Sequence, residues 1–378
     1  MKIAILADPL DNQSAGVHSF TSGFVNALIK YDQDNEYVLL REKKDPGIPN
    51  HIQQIAIPNN RFLLLFSALR LFIIFPIILR QLKVDAVIEP AHFGPFNLPR
   101  HIRRINIIHD LTPIIFPRYH RWLSRHLQRF FLRHILKKAA LIIAVSQSTA
   151  NDLARFYPFA APKTKVVYPG RDEFFRPMAS SNKILEKYQI SSPFFLTVGT
   201  IEPRKNLIFL LRTYQKFREE HVDKVLLVII GGEGWKYQSF YDALNRHPFK
   251  DDIIMTGYVK KEDLREFYNK TVALIYPSFY EGFGLPVLEA LACGTRVICS
   301  DQSSLPEVGG KTVRYFNPKV QQQLLTQLHA VTQPVNPPSK TISSSIDQAA
   351  TFSWELSIAA FTEVLAVISA SKTEFKSQ

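Results

Sequence analysis

Cysteine is nearly missing from this sequence: Cys293 and Cys299 are the only two, and both lie inside or beside apolar runs. That excludes a disulfide-stapled scaffold and a cysteine-built metal centre, and predicts two buried free thiols. A secretory signal is missing as well. Met1-Lys2 leads straight into Ile3-Ala4-Ile5-Leu6-Ala7 and then Asp8, which reads as a strand and its end, so a cytoplasmic chain is expected. Nor is there a convincing membrane span. The best candidate, Phe62 to Leu79, carries Arg70 near its middle and Pro76 near its end. An arginine at the bilayer centre costs about 2.5–3.5 kcal/mol, and a spanning helix needs ~20 residues. The segment reads as a core helix of the first domain, with an interfacial helix as the alternative. The one aspartate pair at metal-ligand spacing, Asp32 and Asp34, sits in a polar turn before Tyr37 and is read as turn residues.

Acid is scarce in the first half. Residues 1–175 hold 23 Lys and Arg against 13 Asp and Glu, whereas residues 176–378 hold 23 against 20. Most of the formal charge of +13 therefore falls on the N-terminal part, as if it faced something anionic. Between Asp110 and Asp152 there is no acid at all. There Arg121, Arg125, Arg129, Arg133 and Lys137 recur every four residues, while Leu123, Leu127, Phe130, Phe131 and Ile135 take another face of the same helical pattern. A half-buried helix with a basic stripe is predicted, and an anionic membrane surface is its candidate partner. Nucleic acid is not, because no recognised module is present and the cations sit beside apolar rather than stacking positions.

With 378 residues and 46% apolar content, the chain can fill two ordinary cores. Strand-length apolar runs alternate with amphipathic stretches: Lys2–Ala7, Tyr37–Leu40, Ala86–Glu89, Ile105–Ile108, Leu141–Val145 and Lys165–Tyr168. A second series follows, Phe194–Val198, Val225–Ile230, Ile253–Thr256, Val272–Tyr276 and Arg296–Ser300. That rhythm predicts two α/β, doubly wound parallel-sheet domains, which bind ligands outside the carboxyl ends of their strands. The boundary is placed near Arg171–Lys183, giving domains 1–175 and 176–351. Thr332 to Ser345 reads as a loop, and a closing helix over 352–370 has Ser353 as its N-cap.

The strongest local signal is the run Glu281-Gly282-Phe283-Gly284-Leu285-Pro286-Val287-Leu288-Glu289, placed after a strand and opening a helix. Helix N-terminal amides favour phosphate, glycines permit close approach, and carboxylates accept hydrogen bonds from sugar hydroxyls. Arg204 and Lys205 follow Phe194–Val198, where two cations can meet a diphosphate. His109 stands at the carboxyl end of Ile105–Ile108, and Gly16 follows the first strand at a helix start.

The run Glu281 to Glu289, two glutamates with seven residues between them, together with Ala290-Leu291-Ala292-Cys293-Gly294 resembles retaining GT-B enzymes of glycosyltransferase family 4. Ile108-His109-Asp110-Leu111, Ala144-Val145-Ser146-Gln147-Ser148, Tyr168-Pro169-Gly170, Val198-Gly199-Thr200 with Arg204-Lys205-Asn206, Gly231-Gly232 and Ser304-Leu305-Pro306-Glu307 follow in the family's order. The resemblance implies two Rossmann-like domains facing across a cleft, the closing helix packing back on the first. It implies a nucleotide-sugar donor, best matched by GDP-mannose, and a glycan or lipid-linked acceptor. His109, Glu281, Arg204 and Lys205 would act at the reacting centre. Gly16, Gly199, Thr200, Phe283, Gly284 and Leu285 would line the sugar and phosphates, Glu289 the ribose, and Gly257, Tyr258 and Val259 the base. Fixed cations would neutralise the departing diphosphate, so no metal cofactor is implied. Where many members carry Arg directly after the glycine, this chain has Thr200, and Arg204 is the candidate for that charge. The alternatives are a sugar-nucleotide epimerase of the same architecture and, from a different class, a basic nucleic-acid-binding protein; a phosphorylase would need a pyridoxal-binding lysine that cannot be identified.

Overall fold

The computed structural model describes the chain apart from residues 12–14, 60–63, 92–93, 96, 118–130, 179–181, 334–337 and 375–378. It divides into two compact units. The first is built from Met1–Ile115, the described residues between 122 and Gly170, and Ser353 onward; the second is built from Arg171–Phe352 and also takes in Phe116 and Pro117.

In the first unit seven strands form a parallel sheet: β1 (Lys2–Leu6), β2 (Glu36–Arg41), β3 (Gln53–Ala56), β4 (Ala86–Glu89), β5 (Arg103–Ile108), β6 (Leu141–Ala144) and β7 (Thr164–Val166). Their order is β3-β2-β1-β4-β5-β6-β7, so the winding reverses between β1 and β4. The middle strands are buried along nearly their whole length, as a sheet covered on both faces requires. Glu89, fully buried, takes a bidentate guanidinium from Arg104, with Nη2 at 2.8 Å from both carboxylate oxygens. The last helix, Trp354–Glu374, belongs to this unit. Ser353 caps it by accepting from Leu356 N at 3.1 Å, and Phe361, Ile358 and Leu365 are buried. Trp354 wedges against the helix Ala15–Tyr31 so tightly that a Cβ on Gly23 would lie 2.2 Å from its ring.

The second unit has six parallel strands: β8 (Phe194–Val198), β9 (Leu226–Ile230), β10 (Ile253–Gly257), β11 (Ala273–Tyr276), β12 (Val297–Ser300) and β13 (Arg314–Phe316). Their order is β10-β9-β8-β11-β12-β13, and the winding reverses between β8 and β11. One face of the sheet packs on the helices Leu207–Glu220 and Gln321–Thr332 through Leu210, Tyr214, Phe217, Leu324 and Leu328. Both cysteines are buried and free, and burial raises their thiol pKa values, Cys293 to about 12.

The loop expected over Thr332 to Ser345 is in part a helix, Pro338–Ala350. Proline fits the first turn of a helix. Beyond that, tertiary contact overrides composition: Ser345 is 1% exposed, and Ile342 lies 2.8 Å from where a Cβ on Gly294 would stand. The expected helix over Phe62 to Leu79 is present where described, as Leu64–Leu69, a π-turn Arg70–Ile74, and Phe75–Gln81. Of the basic stripe, Arg121, Arg125 and Arg129 lie outside the described residues. Arg133 and Lys137 are exposed on a helix whose Leu132, Ile135 and Leu136 are buried. Asp32 holds the turn before β2, accepting from Asp34 N at 3.0 Å and from Tyr37 Oη at 2.5 Å. Among the described residues one stretch, Ile342–Ile368, has the length and apolar composition to cross a membrane, but it is broken between two helices at Thr351–Ser353.

Candidate functional site

The winding reverses between β8 and β11, and the carboxyl ends of the strands at such a reversal are where a doubly wound sheet takes its ligand. Two loops supply this site. After β8, Gly199 N donates to Ile230 O at 2.8 Å and Ile201 N to Gly232 O at 2.9 Å, tying this loop to the one that follows β9. The fit depends on Gly231: its φ is +148°, and a Cβ there would lie 2.0 Å from Gly199 O. A turn Pro203–Lys205 then presents its cations, and Asn206, left-handed at φ +57°, leads into the helix Leu207–Glu220.

After β11 comes Glu281, and the two loops meet on its carboxylate. Lys205 Nζ donates to Oε1 and Arg204 Nη1 to Oε2, each at 2.7 Å. Lys205 also donates to Tyr276 Oη at 2.7 Å, and Arg204 to Tyr280 O at 2.7 Å. Arg204 Nη2 reaches Glu202 Oε1 at 2.5 Å. Two carboxylates and two cations therefore balance in one buried group. Burial opposes ionisation of Glu281, but Arg204 and Lys205 outweigh it and hold its pKa down to about 2. For Lys205 burial prevails and lowers the pKa; for Glu202 it raises it.

The turn after Glu281 is held from below. Ser304 Oγ donates to Glu281 O at 2.9 Å and Phe283 O at 2.7 Å, and Glu281 N donates to Ser303 Oγ at 2.9 Å. Gly284, at φ +114°, then opens the helix Leu285–Ala292. On that helix Glu289 accepts from Tyr268 Oη at 2.9 Å. Burial raises its pKa to about 7, against the Tyr268 hydrogen bond, which lowers it. Gly257 ends β10 at φ +68°; Tyr258 beside it is 78% exposed and Val259 is buried.

The structure thus brings Gly199, Arg204, Lys205 and Glu281 together, and sets Phe283, Gly284, Leu285 and Glu289 on the turn and helix that follow. Thr200 sits on the interlocked loop, its Cγ2 2.6 Å from where a Cβ on Gly234 would be. Glu202, Ser304 and Tyr268 were not singled out as site residues in the sequence. The Ser304 tetrapeptide was there to be read, whereas Glu202 and Tyr268 show their roles only through their partners.

In the first unit, His109 follows β5, and its ring stands edge-on to Phe20 with centroids 4.8 Å apart. Its Nε2 lies 2.7 Å from Pro90 O; a carbonyl only accepts, so Nε2 carries a hydrogen. Gly16, at the start of Ala15–Tyr31, is exposed with open space around it, so the chain itself imposes no demand for glycine there. Among the described residues no group of three or more His, Cys, Asp and Glu is placed to hold a metal ion.

Comparison with known proteins agrees with this layout. Residues 16–173 match the family model for Glycosyltransferase Family 4, and residues 181–329 that for Glycosyl transferases group 1. The O-antigen chain mannosyltransferase B of Escherichia coli is 33% identical over 270 residues, spanning 70% of this chain and 71% of that protein. The chain belongs to glycosyltransferase family 4. The serotype-specific mannosyltransferase WbdA of Escherichia coli is 27% identical over 282 residues, about a third of its own length. Among solved structures, Anabaena Alr3699/HepE in complex with UDP and glucose superposes with a TM-score of 0.75 at 16% identity, covering 97% of this chain and 100% of that one. WaaG, a glycosyltransferase involved in lipopolysaccharide biosynthesis, gives 0.69 at 15% identity, covering 95% and 98%. Such low identities establish the shared GT-B fold of this family 4 glycosyltransferase and nothing finer.

Proposed function

We propose that this glycosyltransferase moves a mannosyl residue, with retention at the anomeric carbon, from GDP-mannose to a hydroxyl of a cell-surface glycan carried on a lipid, working from the cytoplasmic side of a membrane. The observation that carries the donor half is the clamp on Glu281: a carboxylate held ionised between Arg204 and Lys205 at the reversal of a parallel sheet. The likeness to mannosyltransferases of O-antigen synthesis supports the sugar and the acceptor class.

In this reading Glu281 accepts hydrogen bonds from donor sugar hydroxyls, and amides from Phe283 to Leu285 approach the sugar and phosphate. Arg204, Lys205 and the backbone at Gly199 and Thr200 face the diphosphate. Glu289 takes the ribose hydroxyls, and the Gly257–Tyr258–Val259 loop takes the base. The acceptor oxygen attacks the anomeric carbon on the face the leaving phosphate departs from, and its proton passes to that phosphate oxygen. His109 orients the transferred sugar. Charge growing on the diphosphate is stabilised by the two fixed cations, without a metal.

The test is thermal stabilisation by a panel of nucleoside diphosphates with no metal added, since a ligand that binds only the folded state raises the melting temperature. Selective stabilisation by GDP, lost in Lys205→Ala and Glu289→Ala, is expected. Selectivity for UDP or dTDP would replace the donor, and no response at saturation would overturn the site.

A further inference from the structure

The helix running from Leu64 to Gln81 is turned inside out relative to an ordinary surface helix. Its internal cation, Arg70, is 3% exposed, while Leu69, Ile73 and Ile77 are 40%, 50% and 47% exposed. Arg70 is held inward from several sides. Nη1 and Nη2 both donate to the Asp8 carboxylate, Nη2 at 2.7 Å, Nε donates to Ile57 O at 3.0 Å, and the guanidinium lies 4.5 Å from the Phe75 ring centroid. Phe75 and Leu79 anchor the same inward face in the core beside β1, β2 and β4. The helix cannot roll to hide its other side.

The π-turn at Arg70–Ile74 matters for the shape of that other side. In a regular α-helix residues four apart are about 40° out of line, so positions 69, 73 and 77 would drift by roughly 80°. A wider turn takes up an extra residue and reduces that drift, gathering the three side chains toward one axial row. Arg80 and Lys83 are exposed at the row's end, and Arg100 is exposed two residues beyond Leu98, which packs against the same core cluster as Phe75 and Leu79. There is no acidic residue anywhere between Asp45 and Asp85.

We infer that Leu69, Ile73 and Ile77 form a ridge that docks this unit on an anionic lipid bilayer, the three aliphatic side chains entering the headgroup boundary and Arg80, Lys83 and Arg100 meeting lipid phosphates. This rests on the reading that the acceptor is carried at a membrane, and it names the surface that meets it. Exposed aliphatic side chains in line, with exposed cations at the end of the row, are what an interfacial helix needs.

The experiment is co-sedimentation of the full chain with phosphatidylethanolamine–phosphatidylglycerol vesicles, and with pure phosphatidylcholine vesicles for comparison. Binding to the anionic vesicles, reduced by high salt, is expected. Ile73→Ser with Ile77→Ser should cut partitioning roughly a hundredfold, about tenfold for each aliphatic side chain removed. The thermal transition and nucleoside diphosphate binding should stay as in the parent. In a second measurement Ile73→Trp should show a blue-shifted emission on these vesicles. Unchanged partitioning of the double serine variant, or a tryptophan that stays in water, overturns the ridge. So does a ridge whose loss converts a dimer to a monomer without touching vesicle binding. Failure of the donor site shows separately, as vesicle binding intact with no response to any nucleotide.

Discussion

Tyr268 donates its hydroxyl hydrogen to Glu289 Oε2 across 2.9 Å, from a helix of its own and a side chain that is itself buried. The bond occupies one oxygen of Glu289, favours the ionised form and fixes the orientation of the other oxygen. Because burial has pushed the Glu289 pKa up to about 7, this bond decides the carboxyl's charge near neutrality. Nucleotide affinity should fall as pH drops through about 7, and in Tyr268→Phe the fall should begin at higher pH. Titrating GDP binding against pH, in parent and variant, checks both; 2′,3′-dideoxy-GDP should not distinguish them.

The same carboxyl sets a stability trend with the opposite sign from most acids. Its folded pKa lies above the ordinary 4.5, so its contribution to stability is present at low pH and is lost as pH rises toward about 7. Glu289→Gln should therefore melt higher than the parent at pH 8, with a smaller difference at pH 5, while losing nucleotide binding. Equal melting shifts at both pH values would remove this explanation.

Glu281 behaves in the reverse way. Its pKa is held down to about 2, so its stabilisation is present above the ordinary 4.5 and is lost as pH falls from there toward 2. At neutral pH Glu281→Gln leaves Arg204 and Lys205 facing each other with one countercharge removed. Breaking a buried pair on one side costs about 3–5 kcal/mol. Chemical denaturation monitored at several pH values should show a loss of that size at pH 7, shrinking toward pH 3.

Glu202 is expected to act through Arg204, whose Nη2 it holds at 2.5 Å. Glu202→Ala should lower kcat/KM roughly tenfold by letting the guanidinium move, and Glu202→Gln should recover part of that loss. Equal kcat/KM in Glu202→Ala and the parent would mean that Glu281 and Tyr280 position Arg204 unaided.

Gly231→Ala places a methyl 2.0 Å from a backbone oxygen that cannot swing aside, at a φ of +148°. A loss of roughly 2 kcal/mol or more is expected, together with weakened nucleotide binding, because the displaced loop carries Arg204 and Lys205. Thermal melts with and without GDP read both effects.

Much of this layout could be read in the sequence because parallel strands buried on both faces are continuous apolar runs. Two strands lacked that mark. Gln53–Ala56 is half amide and lies at the edge of its sheet, and Arg314–Phe316 has only three residues. Pro338–Ala350 looked like a loop because serine and proline disfavour helix, yet packing beside Gly294 decided it. At the site, the cations and both glutamates stand out through the motifs that carry the family resemblance, not through spacing alone. Glu202 and Tyr268 do not, since a glutamate before proline and a tyrosine on an amphipathic helix carry no pattern. Their roles exist only as pairings across 2 and 21 positions. The inward turn of Arg70 was equally hidden, since its partners Asp8 and Ile57 are distant in the chain.

Because Trp354 and the helix behind it fill the core of the first unit, the whole of Arg171–Phe352 is an insertion in that unit's chain. On the ribosome the second unit can complete its fold while the first still lacks its final helix. The part begun earliest is finished last, with Phe20 and Phe24 waiting for Trp354 and Phe361 across most of synthesis. A chain stopped shortly after Gly170 would thus release an unfinished core rather than a free-standing domain.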